Sequence, residues 1–180
     1  MLLQTTIAQS IRRFGLPILT AALLLTASSL LHAEEPAEEV AEPTYADATE
    51  IVLEWGPPSV APEYRRTRTW TVTPTALHFT VTDGRGDEVK VAVTPITEEH
   101  WANVLATIDT AELHIGEQEE DAGCTGGTTR HLRISEGETV LLDGRTYVCA
   151  STSSGPLHGD HAALLEAIQA DIDPEMFEHD

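Results

Sequence analysis

The chain reads as an α+β protein: an antiparallel sheet of about five to six strands, with two helices packed on one face and one disulfide. Three observations carry that class. Apolar residues alternate with Thr, His and Arg at period two over 69–93 and again over 130–149. They repeat at three and four after Thr97 and after Asp160. The only two cysteines, Cys124 and Cys149, bracket the second alternating region. Period two marks half-buried strands and the longer period amphipathic helices. An antiparallel sheet can bury one face and leave the other wet, which suits strands that alternate in this way.

The N-terminus carries Arg12-Arg13, an uncharged run over 14–31 and then Leu31-His32-Ala33 before an acidic stretch. That order is the pattern of a secretory signal peptide. It predicts cleavage after Ala33, with Ala27 as the second choice. The alternative is an uncleaved anchor, since 18 uncharged residues just reach the length of a membrane span. The expected localisation is therefore the periplasm or the secreted fraction, with no stable membrane insertion after signal cleavage. Residues 34–48 are rich in Glu, Pro and Ala and read as an acidic disordered spacer. The single folded domain is expected over 49–174, with a disordered tail over 175–180.

The chain has 10 basic and 30 acidic side chains; residues 1–33 hold two arginines and no acids, so the exported part carries a net charge of -22. A field of that sign repels phosphates, which excludes nucleic acid and anionic membrane surfaces as partners.

In chain order, 51–55 is a short apolar strand stopped by Gly56-Pro57-Pro58. Arg65, Arg66 and Arg68 follow within four positions and form a candidate patch for an anionic ligand or a partner, because guanidinium forks pair with carboxylates or phosphates. Trp70, Val72, Leu77, Phe79 and Val81, then Val89, Val91 and Val93 after the Asp83-Gly84-Arg85-Gly86 turn, give a three-stranded meander. Thr97 caps a helix with Glu98 and Glu99 at its positive end and Trp101, Val104, Leu105 and Ile108 on one face. Strand character resumes over 130–134, with Leu132 and Ile134 inward and His131 and Arg133 outward. Residues 139–142 and 145–149 read as a hairpin closed by Asp143-Gly144. Asp160 caps a last helix that buries Ala163, Leu164, Ala167, Ile168 and Ile172, placing His161 on the surface of its first turn.

Two cysteines in an exported chain predict a Cys124–Cys149 disulfide. On a chain-entropy view its loop of 25 residue steps would contribute about 3 kcal/mol. His158, Asp160 and His161 are the candidate metal ligands, with zinc or copper as the ion, and His114 or His131 as a further donor. The same residues with Ser151, Ser153 or Ser154 are the alternative hydrolytic set, without a nucleophile-elbow pattern to support it. No catalytic residue and no cofactor are otherwise assigned. The leading expectation is an exported non-enzymatic domain that binds an unidentified protein or small ligand through the sheet face and the disulfide-linked loops. A metal-dependent binding protein or hydrolase using His158, Asp160 and His161, and a structural envelope component, are the alternatives.

Overall fold

A computed structural model describes residues 45–57, 60–117, 126–149 and 152–178. All of them lie in the compact unit Ala41–Asp180. The strands are β1 (Glu50–Trp55), β2 (Arg66–Thr73), β3 (Ala76–Asp83), β4 (Glu88–Pro95), β5 (His114–Ile115), β6 (Thr128–Glu136), β7 (Thr139–Cys149), β8 (Thr152–Ser154) and β9 (Leu157–His158). The helices are α1 (Glu98–Thr110) and α2 (His161–Gln169). Seven strands form one antiparallel sheet in the order β4-β3-β2-β1-β6-β7-β8, and β5 pairs with β9 in a second, two-stranded sheet.

The register turns the sequence alternation into rows of side chains across the sheet. One row runs Leu77, Val72, Ile51, Ile134 and Leu142, the next Phe79, Trp70, Leu53, Leu132 and Gly144. Apart from Gly144 these side chains are buried. Each fully buried Leu, Ile or Phe contributes about 1.5–3 kcal/mol, so the two rows hold the fold together. The third row is different in kind: Val81, Arg68, Trp55, Arg130 and Thr146. Here the covered face passes from aliphatic to aromatic and cationic, at one end of the sheet.

Both helices lie over these rows. Thr97 accepts the His100 amide at 3.1 Å and starts α1, which buries His100, Val104 and Ile108. Asp160 accepts the amides of Ala162 and Ala163, each at 3.0 Å, and starts α2, which buries His161, Leu164, Ala167 and Ile168. The helices also touch each other. The opposite face is open: His78 is exposed, and Val89, Val91 and Val93 on the outermost strand β4 are each more than half exposed.

The fold class predicted from sequence is corrected on two points. Seven strands plus a separate pair replace the expected five to six, because β5, β8 and β9 are too short to show periodicity. The disulfide is not part of the described fold: Cys124 lies outside the described residues, so the Cys124–Cys149 pairing does too. Cys149 ends β7, and no free cysteine occurs among the described residues. The same end of β7 is fastened by pairing with β8 and by the Gly127 amide, which donates to the Tyr147 hydroxyl at 2.9 Å.

Two local expectations also change. Asp143-Gly144 is not a turn but the middle of β7; the hairpin turns at Gly137-Glu138. Packing decides this, since a Cβ at Gly144 would lie 2.3 Å from Ile115 Cδ1 and 3.2 Å from Leu157 Cβ. The bare glycine lets the two-stranded sheet lie against β7. Tyr45 and Ala48, expected in the spacer, are buried in the core, and Phe177, expected in the tail, packs against it.

Candidate functional site

The third row of the sheet forms the floor of a cleft. Trp55 stands edge-on to Trp70, with ring centroids 5.9 Å apart at 74°. Trp70 in turn leans on Phe79 at 5.3 Å, and Phe79 meets Phe177 edge-on at 5.3 Å. Edge-to-face aromatic packing adds rigidity beyond area burial. Above Trp55 and Trp70 a cavity of about 560 Å³ opens between the sheet, Leu165 and Gln169 of α2, and Phe177 and Glu178 of the C-terminal segment, with Arg68 in its wall. A second cavity of about 400 Å³ adjoins it across Trp55, Leu165 and Gln169 and reaches Glu166.

Cationic and N–H groups gather around this floor. The Arg130 guanidinium lies 4.5 Å from the Trp55 ring centroid, a cation–π distance. Burial lowers its affinity for the proton, and the nearby Asp160 carboxylate works the other way. A guanidinium keeps its charge under either influence. The Arg130 Nε, the Trp55 Nε1 and the Trp70 Nε1 are enclosed and have no hydrogen-bond partner. A buried donor left unsatisfied costs about 1–3 kcal/mol, so three at one end of a sheet need an explanation.

Arg65, Arg66 and Arg68 do not act as one patch. Arg65 Nε donates to the Val60 carbonyl at 3.0 Å, and Arg66 Nη1 donates to the carbonyls of Glu63 and Arg65 at 3.1 and 2.7 Å. Those two brace the single helical turn Pro62–Tyr64. Of the three only Arg68 lines the cleft; Arg66 has the same parity on β2, but its guanidinium is turned to the Glu63 and Arg65 carbonyls.

The metal set is overturned. Among the described residues, no group of three or more His, Cys, Asp and Glu side chains could hold a metal ion. The reasons are local. The Asp160 carboxylate is committed to two amides at the start of α2. His158 stacks on His114 across the two-stranded sheet, at 5.4 Å and 21°, and its Nε2 lies 3.0 Å from the Glu117 carbonyl. His161 is buried rather than on the surface of the first turn. Its pKa falls to about 4, chiefly through burial and further through Arg130 and His158, with Asp160 opposing.

Of the serines in the hydrolytic alternative, Ser153 and Ser154 sit on the edge strand β8, and Ser151 lies outside the described residues. The expected binding surface is corrected as well. The loop carrying Cys124 lies outside the described residues, and the two cavities described above lie on the covered face rather than the open one.

One polar pair on the open face was not anticipated. His131 Nε2 lies 2.7 Å from Asp143 Oδ1, with Arg133 at 3.7 Å from the other carboxylate oxygen. Placing Asp143 in a turn hid it. Trp55, Trp70 and Arg130 were legible as strand residues, but only the register shows that Trp55 faces Arg68 on one side and Arg130 on the other.

Comparison with protein-family models, with curated proteins and with solved structures finds no match to this chain. No helix among the described residues is long and apolar enough to cross a membrane.

Proposed function

We propose that this domain is a binding module whose cleft takes a small, flat ligand with hydrogen-bond acceptors along one edge, such as a carboxylate borne on a ring. The observation that carries this reading is the pair of enclosed, unpartnered indole donors, Trp55 Nε1 and Trp70 Nε1, on two residues that line one cleft, with the equally unpartnered Arg130 Nε on the guanidinium that stacks on Trp55. Indole rings offer a flat apolar wall for stacking. Their N–H groups and the guanidinium can only donate, so the complementary edge must accept. Arg68 in the wall adds positive charge beside them.

Reading residues 1–33 as an export signal places the ligand in the periplasm or the surrounding medium.

The test is a ligand-observed NMR screen of ring fragments matched in size and divided into carboxylates, neutral alcohols and ammonium ions. The expected result is enrichment of carboxylates, lost at least tenfold on Trp55→Leu or Arg130→Met. Equal binding of the ammonium fragments, or carboxylate binding untouched by both variants, rejects the proposal.

A further inference from the structure

One wall of the cleft comes from the C-terminal segment, through Phe177 and Glu178. The Trp70 and Trp55 indole nitrogens are shut from solvent, and Trp70 as a whole is 2% exposed. Phe177 and Glu178 line the same cavity as Trp70 and Arg68. Resting on that reading of the cleft, we propose that Phe177-Glu178 is an internal plug that closes one side of the site, and that the segment 171–178 must lift for the ligand to reach the indole donors.

The segment is built to detach as a unit. Helix α2 stops at Gln169, Ala170 is already extended at φ -57 and ψ 137, and Asp171 takes a left-handed φ of 59. A non-glycine residue in that region marks a sharp change of direction. Beyond it, Pro174–Met176 forms one helical turn closed on itself: Asp173 accepts the Glu175 amide at 3.0 Å, and the Phe177 amide donates to the Pro174 carbonyl at 2.9 Å. The turn thus keeps its shape without the sheet.

Its described attachments to the body are three half-buried side chains, Ile172, Met176 and Phe177, which pack against the core with the Phe177 ring on Phe79, and a few hydrogen bonds: the Ile172 amide donates to the Gln169 carbonyl at 3.2 Å, and the Lys90 ammonium of β4 donates to the carbonyls of Glu175, at 3.2 Å, and Glu178. Asp171, Asp173 and Glu175 are exposed, so most of the turn gains nothing by staying docked. Segments with few buried apolar contacts open at a fraction of the global unfolding free energy. A ligand that binds only the open form has its apparent affinity reduced by the fraction of time the plug is out.

The experiment uses the full chain carrying Trp101→Phe, so that fluorescence reports on Trp55 and Trp70. To this are added Lys90→Met, which removes the ammonium clamp and leaves the packing, and separately Phe177→Ala. Acrylamide quenching measures access to the indoles, and benzoate titration measures binding. The expected result is a quenching constant raised at least twofold and a benzoate affinity raised at least fivefold in both variants. Benzoate binding that is equal to or weaker than that of the parent in both variants overturns the plug and leaves the cleft reading standing. Absence of benzoate binding from the parent and both variants, with quenching raised, removes the cleft reading and the plug with it.

Discussion

Acidification tests the placement of His161. Its imidazole is buried, its Nε2 has no hydrogen-bond partner, and its pKa is lowered from 6.5 to about 4 by burial first, then by Arg130 and His158. In the unfolded chain the same side chain returns to its ordinary value. Above pH 6.5 both states hold it neutral, and it has no influence on the pH dependence of stability. As pH falls through that value the unfolded state takes up a proton that the folded state refuses, so stability falls. The loss is about 2 kcal/mol between pH 7 and pH 5 and saturates near about 3 kcal/mol once the folded state also protonates, below pH 4.

The assay is urea unfolding followed by tryptophan fluorescence at pH 7, 6 and 5, for the natural chain and for His161→Leu. Comparing the two cancels the titration of the many carboxylates, whose neutralisation relieves self-repulsion and pushes the other way. At pH 7 the variant should be neutral or slightly more stable, because it removes an unsatisfied buried nitrogen. At pH 5 it should lead the natural chain by about 2 kcal/mol more than at pH 7. A difference that stays constant with pH within about 0.5 kcal/mol would show that His161 protonates freely in the folded state, and the buried placement would be wrong.

Three further outcomes follow from the packing. Gly159→Ala should cost more than about 2 kcal/mol in chemical denaturation, since φ there is 106 and a Cβ would meet the Ala111 and Glu112 carbonyl oxygens at 2.6 and 2.7 Å; Gly144→Ala, whose nearest obstacle is the movable tip of Ile115, should cost less. Asp160→Ala should lower stability by about 1 kcal/mol while Asp160→Asn recovers most of it, because the side chain acts as the α2 cap. Leu53→Ala, at the centre of the covered face and with no exposure, should lower the urea midpoint by an amount equivalent to about 2–5 kcal/mol.

The long elements were legible because local and global preferences agree in them. The Thr97 and Asp160 caps and the alternation through β2, β3 and β6 needed no tertiary knowledge. Gly144 misled because Asp-Gly ordinarily favours a tight turn, and only the approach of Ile115 and Leu157 explains its place in mid-strand. His161 could have been read correctly: it stands three and seven residues before Leu164 and Ile168, on the same helix face, just as His100 precedes Val104 and Ile108. Placing His161 on the surface of the first turn passed over that periodicity. The cleft was legible only in fragments, since Trp55, Arg68 and Arg130 come from three strands and meet through pairing register. Tyr45, set among acidic residues, carried no sequence sign of burial.

The charge of the whole chain and the charge of the cleft oppose each other, and that opposition is measurable. A net charge of -20 repels an anionic ligand at long range, whereas Arg68 and Arg130 attract it at contact. Salt screens the first strongly, because exposed charges more than about 8 Å apart are largely decoupled at physiological ionic strength, and it screens enclosed groups much less. Raising sodium chloride from 10 to 200 mM should therefore leave benzoate affinity unchanged or raise it a few-fold, chiefly through faster association. Binding to a simple exposed arginine patch behaves in the opposite way and weakens steadily with salt. A steep loss of affinity over that range would show that the ligand sits on an exposed cation such as Arg65 and not on the floor formed by Trp55 and Trp70.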